Sequence, residues 1–349
     1  VFRVSEYHEL ISGRRRGAGA AAARAMLRAL EVPYTCAVRW RNRRYDTGRA
    51  RVSRADVPII SVGNLTLGGT GKTPMVHWLA RHLRQRGLRV AIVSRGYRAR
   101  HGQQNDEALE LAQWLPDVPH VQDADRVAAV ARTVAEFGAQ VVVLDDGFQH
   151  RRLARDVDIV LLDALEPFGY EHVFPRGTLR EPLEGLRRAN VVCLSRADAV
   201  SADERESVRR RVAHVAPRAV WCEVAHRASH LVDAAGETQP LSLLDRRRVA
   251  AFCGIGNPAG FRHTLTTLGC EVIAWRSFPD HHAYSAGDLP VLTQLAAGAE
   301  LVVCTKKDLV KLRRTELDGV RLWAVAIEMQ FLSGQEKFEA RVAGTLGAS

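Results

Sequence analysis

Lysine is almost missing from this chain of 349 residues: only Lys72, Lys306, Lys307, Lys311 and Lys337 occur, and arginine supplies nearly all the positive charge. A compact ammonium and a planar guanidinium are not interchangeable. A lysine that survives in such an arginine-biased chain therefore marks a position where arginine is a poor substitute. Cysteine is sparse too: the six residues Cys36, Cys193, Cys222, Cys253, Cys270 and Cys304 are scattered and form no C-x-x-C pair. That pattern signals neither a zinc site nor a disulfide framework. Several lie in apolar runs and read as buried free thiols, which suits a reducing cytoplasm. No apolar run is long enough to span a bilayer. The stretch 17–23 after Arg14, Arg15 and Arg16 resembles a signal peptide superficially, but Arg24 and Arg28 interrupt it. Internal repeats, nucleic-acid-binding motifs and low-complexity tracts beyond the alanine-rich N-terminal stretch are absent.

What is present is a chain with room for two domains and 46% hydrophobic residues, enough for real cores. The net charge of +11 suits nucleic acid, an anionic membrane or phosphorylated substrates, and charge alone does not choose among them. Residues 18–30 read as a helix with Met26, Leu27 and Leu30 near one side. A segment with Arg39, Arg41, Arg43 and Arg44 follows, with Trp40 and Tyr45 between them. Basic residues mixed with aromatics suit a helix lying on an anionic membrane; an amphipathic helix packed on a domain fits equally.

From residue 57 onward, short apolar runs alternate with helical patterns: strands at 57–62, 89–93, 140–144, 157–162 and 191–194, helices at 73–86 and 124–137. Runs apolar throughout and separated by helices predict a parallel sheet covered on both faces. Residues 226–240 read as a polar loop. A second alternating block then runs from 249 to 304, with helices at 258–268 and 286–296. The expected organisation is an N-terminal basic amphipathic segment (1–50), a P-loop domain (51–225) and a smaller C-terminal α/β domain (226–349) closing over the cleft.

The segment 61–73, SVGNLTLGGTGKT, joins a predicted strand to a predicted helix, and Gly71-Lys72-Thr73 is the end of a Walker A loop. Gly68, Gly69 and Gly71 allow backbone N–H groups to converge on phosphate oxygens. The helix N-terminus directs its unpaired N–H groups at the anion. Lys72 would reach the outer phosphates and the Thr73 hydroxyl would hold Mg²⁺. Thr66 stands where the motif has its first glycine; with Leu67 and Thr70 it completes the candidate ATP-binding loop, residues 66–73. The apolar run 141–144 ends in Asp145-Asp146, the Walker B arrangement, which places a carboxylate near Mg²⁺. Which of the two aspartates takes the metal is open.

The segments VGNLTLGGTGKTP (62–74), VSRGY (93–97), NDEALELA (105–112), LDDGFQHRRLARDVDIVLLDA (144–164), FPRGTLREP (174–182), GIGNP (254–258), FPDHHAYSAGDL (278–289) and TKKD (305–308) together resemble one family, the tetraacyldisaccharide 4′-kinases (lipid A 4′-kinases). They follow the family order and span most of the chain. The Walker A piece is generic, whereas DDGFQHRRLARD and PDHH are far more specific. The resemblance implies transfer of the ATP γ-phosphate, with Mg²⁺, to the 4′-hydroxyl of a tetraacylated glucosamine disaccharide 1-phosphate. It implies a peripheral or monotopic protein at the cytoplasmic face of a bacterial inner membrane, docked by its N-terminal segment, with no nucleic acid and no obligate protein partner. It also assigns residues: Lys72 and Thr73 to the P-loop pair, Asp145 and Asp146 to the magnesium side, Asp106 to the catalytic aspartate and His281 to its D-H pair. Arg180 and Glu181 match an R-E segment near the substrate, with Gln149 a further substrate-side candidate. Two departures stand out: Asn105 and Ala108 flank Asp106 differently from the family's G-D-E-P, and Lys306 replaces a glutamate.

A sugar hydroxyl is a weak nucleophile, so a base must accept its proton as attack proceeds. Asp106, assisted by His281, is the expected base, and Lys72 the expected electrostatic catalyst. His281-His282 lack further ligands at metal-binding spacing. The rival readings are a nucleotide switch or other small-molecule kinase of the same fold, a nucleic-acid-stimulated ATPase, and a membrane scaffold. The switch is motivated by Ser195-Arg196-Ala197-Asp198 and Thr305-Lys306-Lys307-Asp308, which resemble the base-reading N-K-x-D of GTPases.

Overall fold

The computed structural model describes residues 4–96, 111, 112, 114–256, 258–279 and 282–346. They form two compact units: one built from the described residues of 4–96, 115–225 and 329–346, the other from 111, 112, 114 and the described residues of 226–328.

The first unit opens with helices α1 (Val4–Ile11) and α2 (Ala18–Asp46). It continues as β1 (Ile59–Asn64), α3 (Lys72–Gln85), β2 (Val90–Ser94), β3 (His120–Gln122), α4 (Arg126–Phe137), β4 (Val141–Asp145), β5 (Val157–Asp163), β6 (Val191–Ser195), α5 (Ala202–Val215) and the start of β7 (Val220–Val232). The strands pair in parallel in the order β7-β6-β5-β1-β4-β2-β3. Every residue of β1, β2, β4 and β6 is buried, which is why these strands read as unbroken apolar runs instead of alternating ones. One cluster, with Leu65, Phe148, Leu162, Leu186 and Leu194, packs separately from a second with Ile59, Val93, Val130 and Leu144. The expected parallel sheet with flanking helices is therefore observed.

Two local expectations change. The helix read over 18–30 runs on through Pro33 and the basic segment to Asp46. Proline forfeits one backbone hydrogen bond there, but tertiary contacts hold the continuation. Glu31 Oε1 accepts from Val173 N at 2.9 Å, Asn42 Nδ2 donates to Glu181 at 2.8 Å, and Arg151 donates to Asp46 at 2.6 Å. The loop read over 226–240 is largely strand, because β7 extends to Val232. Its second half carries His226, Arg227, Ser229 and His230 on partly exposed backbone, so it lacks an apolar signature. It is held by antiparallel pairing of Leu231 with Gln239 in β8 (Thr238–Gln239).

The second unit contains β9 (Arg248–Cys253), α6 (Pro258–Thr267), β10 (Glu271–Ser277), α7 (Leu289–Ala296), β11 (Leu301–Thr305), α8 (Lys306–Leu312), β12 (Glu316–Leu317) and most of β13 (Val320–Ser333). Its parallel pairs follow the order β10-β9-β11-β13, with β12 antiparallel to β13. The final helix α9 (Gln335–Leu346) belongs to the first unit again. There Phe338 is fully buried and packs edge-on to Trp78 with ring centroids 5.5 Å apart. Burying a side chain of this size contributes roughly 1.5–3 kcal/mol. The cysteines are all free, and only Cys36 is exposed.

Candidate active site

In the first unit β1 pairs with β4 on one side and β5 on the other. The loop after β1 thus leaves the sheet where the strand order reverses, the usual position of a ligand crevice in such sheets. Its first half is fastened to the FPRGTLREP segment: Leu67 N donates to Thr178 O at 2.7 Å, Arg180 N donates to Leu65 O at 2.8 Å, and Thr66 bridges Leu179. Its second half needs glycine, because Gly68 and Gly71 have φ of +117° and +84°. Gly71 caps α3, so the unpaired N–H groups of the first helical turn follow directly, beginning at Lys72. Thr70 is 2% exposed, and its buried hydroxyl has no protein partner. A phosphate oxygen would satisfy that group, whose burial is otherwise costly.

The end of β4 closes tightly against β1. A Cβ at Gly63 would lie 2.6 Å from Cβ of Phe148, so only glycine lets the DGFQ turn approach. Asp145 is buried at the strand end. Asp146 follows in the left-handed region (φ 55°), which aspartate tolerates better than most residues. The Asp146 carboxylate lies 3.6 Å from Nζ of Lys72, and Nη1 of Arg180 donates to both its oxygens at 2.8 Å. Burial raises its pKa, but Lys72, the charge and hydrogen bonds of Arg180, and Arg126 together outweigh this and hold it below the usual carboxylate range.

A depressed carboxylate adds stability above its unfolded pKa, near 4, and that stability is lost as pH falls through the folded value. Urea titrations below about pH 4 should therefore show a shallower loss of stability with acid in Asp146→Asn than in wild type. Equal slopes would mean that Asp146 makes no such contribution.

Gln149 donates to Asn64 O at 2.9 Å and to Glu181 at 3.2 Å, and it accepts from Arg180 at 3.4 Å. Glu181 is fully buried. It accepts from one Arg188 nitrogen at 2.8 and 2.9 Å and from Asn42 at 2.8 Å. Arg188 also stacks over Phe148, 4.5 Å from the ring centroid. Lys72, Asp146, Arg180, Gln149 and Glu181 are thus joined in one chain of contacts. Asp106, Asn105 and His281 lie outside the described residues.

Arg126 was not singled out from the sequence. The first residue of α4, it is 5% exposed, and it donates to Asp146 O and approaches Nδ1 of His150, both at 3.3 Å. Burial and the neighbouring Arg126, Arg152 and Arg155 push the His150 pKa down to about 4, so this ring is neutral near pH 7. Arginine has no acceptor, so Nδ1 accepts and the ring proton is assigned to Nε2.

In the second unit the TKKD segment is built around a buried carboxylate. Asp308 accepts from Gly254 N and Tyr284 OH, each at 2.9 Å, and from Thr305 Oγ1 at 2.5 Å. Burial raises its pKa against those three hydrogen bonds. The GIGNP, PDHHAY and TKKD segments therefore meet on one side chain. Lys306 lies over the Trp114 ring at 4.5 Å.

Among the described residues no group of three or more His, Cys, Asp or Glu side chains could hold a metal. Mg²⁺ usually takes one or two carboxylates and completes its shell with water and substrate phosphates. Thr73, Asp145 and Asp146 are hard oxygen donors of this kind.

A strand-loop-helix cradle with its lysine beside strand-end aspartates, on a parallel sheet, defines a P-loop nucleotide-binding protein. Residues 23–347 match LpxK, tetraacyldisaccharide-1-P 4′-kinase. The chain belongs to this tetraacyldisaccharide 4′-kinase family. It is 42% identical to the tetraacyldisaccharide 4′-kinase of Anaeromyxobacter dehalogenans (strain 2CP-C), over 94% of this chain and 92% of that one. It is 33% identical to that of Halothermothrix orenii, over 87% and 88%. A solved structure of the "apo" form of LpxK from Aquifex aeolicus in complex with ATP superposes with a TM-score of 0.76 at 29% identity, covering 93% of this chain and 99% of that one. The expected lipid A 4′-kinase activity is thereby supported, and the nucleotide-switch alternative is not favoured.

Proposed function

We propose that this chain transfers the γ-phosphate of ATP to the 4′-hydroxyl of a tetraacylated glucosamine disaccharide 1-phosphate. The observation that carries the reading is the contact chain Lys72–Asp146–Arg180, which joins the phosphate loop, the strand-end aspartates and the R-E segment. Lys72 and the backbone N–H groups of the 66–73 loop, apart from that of Leu67, which donates to Thr178 O, hold the phosphates. Thr73, Asp145 and Asp146 would hold Mg²⁺, which when bound neutralises charge on the phosphate oxygens. Arg180, Gln149 and Glu181 border the acceptor side. Asp106 accepts the 4′-hydroxyl proton, with His281 orienting it. The test is Asp106→Asn and His281→Ala: each should lower kcat about 10²-fold or more with KM for ATP little changed. A near-normal kcat in Asp106→Asn would remove it as the base.

We further infer that α2 rests on an anionic membrane surface, at the cytoplasmic face of the inner membrane. No described helix is long and apolar enough to cross a membrane. Met26, Leu30, Val32 and Trp40 are each more than half exposed on α2, and Arg44 lies 5.0 Å over the Trp40 ring. Apolar side chains beside arginines suit the interface between headgroups and acyl chains. Wild type should co-sediment with phosphatidylglycerol vesicles but only weakly with phosphatidylcholine vesicles. Met26→Ser/Leu30→Ser/Trp40→Ser should lose most of that binding; unchanged binding would contradict the assignment.

A further inference from the structure

The S-R-A-D segment at the end of β6, which suggested a base-reading element, is not absorbed by the function above. Its Arg196 adopts the left-handed region (φ 56°), and its side chain turns toward the phosphate loop. Nε donates to Oδ1 of Asp163, at the end of β5, at 2.9 Å, and Nη2 contacts Oδ2 of the same carboxylate. The same Nη2 donates to the carbonyl oxygen of Gly69 at 3.3 Å. One residue earlier in the loop, Asn64 Nδ2 donates to Gly68 O at 3.4 Å. Asp198, where a base-reading aspartate would stand, is exposed.

A trans peptide is planar, so its C=O and the following N–H point in opposite directions. Holding the Gly68 and Gly69 carbonyls therefore aims the N–H groups of Gly69 and Thr70 the other way. A phosphate cradle needs successive N–H groups turned to one side, and glycine-rich backbone does not enforce this by itself. We propose that Arg196, braced by Asp163, is a positioning residue for the nucleotide: it fixes the Gly69–Thr70 peptide so that Thr70 N–H faces the phosphates. The proposal rests on the reading of residues 66–73 as the ATP site.

A positioning role and direct binding of phosphate by the Arg196 cation predict opposite signs for one variant. Asp163→Asn keeps the cation but loosens its brace. Positioning requires that this weaken ATP and ADP binding; direct binding requires that it strengthen them by releasing a competing carboxylate. We expect Arg196→Ala to raise KM for ATP and Kd for ADP about tenfold, the scale of one charge-assisted hydrogen bond. Asp163→Asn should move both in the same direction, and the double variant should lose no more than Arg196→Ala alone. KM for the lipid acceptor should stay within twofold. Arg196→Lys, which keeps a donor, should recover part of the loss and guards against misfolding of the alanine variant, with Tm measured for each. Tighter or unchanged nucleotide binding in Asp163→Asn, or an equal loss toward the acceptor, would overturn the proposal. Lys72→Ala is the control for the underlying reading. If it binds ATP and ADP as wild type does, the cradle assignment fails and this inference with it; if it binds weakly while Asp163→Asn is unchanged, only this inference fails.

Discussion

Lys72→Ala is expected to lower kcat/KM by on the order of 10³-fold, the scale seen when a preorganised cation or donor is removed from a phosphoryl- or acyl-transfer site. Phosphoryl transfer asks little covalent chemistry of a protein; it asks for charge neutralisation at fixed positions. Lys72 supplies one such charge at the first residue of α3, where the helix N-terminus adds its own positive potential. The variant also removes the cation 3.6 Å from Asp146. Arg180 remains within hydrogen-bonding distance of that carboxylate, so the fold should survive. Steady-state kinetics with ATP and lipid acceptor, together with a thermal melt, check both halves. Arginine at position 72 should not rescue: a planar fork cannot replace a point charge at the end of a slim stem. That is the functional sense of a lysine surviving here in a chain otherwise given over to arginine.

Glu181→Ala is expected to produce the largest loss of stability, about 3–5 kcal/mol, because removing one partner of a buried pair strands the other. Glu181 is fully buried, and Arg188, itself mostly buried, donates to both its oxygens through one nitrogen. Asn42 of α2 and Gln149 of the DGFQ turn bond to the same carboxylate. The variant should therefore loosen three segments at once: the docked end of α2, the turn after β4 and the loop carrying Arg180. Urea unfolding gives the magnitude. Glu181→Gln keeps the shape and one acceptor and should cost less. If alanine left stability within about 0.5 kcal/mol, the scale of an ordinary surface substitution, Glu181 would not be the hub that its contacts describe.

Much of the first unit was legible in the sequence for one physical reason. Strands buried on both faces carry no polar alternation, so β1, β4, β5 and β6 announce themselves as apolar runs, and a glycine-rich turn into a helix marks the cradle. The second half of β7 was not legible, because its partly exposed polar residues carry no such run. The length of α2 was hidden for a different reason: Pro33 is a local stop signal, overruled by contacts to Val173, Glu181 and Arg151, each more than a hundred residues away. The site divided in the same way. Lys72, Asp146 and Arg180 lay in recognisable motifs, and the fold brings them into contact. Arg126 gave no signal, and Arg196 stood out only within S-R-A-D, as part of a base-reading element, because one arginine among so many becomes informative only when the fold shows which carbonyl or carboxylate it reaches. Asp106 and His281, named by resemblance, keep their proposed roles on chemical grounds alone.

The most direct test of the central claim is transfer of ³²P from γ-labelled ATP to a tetraacyl disaccharide 1-phosphate in detergent micelles, with the lipid separated and the label located. The account predicts labelled lipid bearing phosphate at the 4′ position from wild type, and none above background from Lys72→Ala. Steady release of labelled inorganic phosphate with unlabelled lipid would contradict it, leaving a P-loop nucleotide hydrolase without this acceptor.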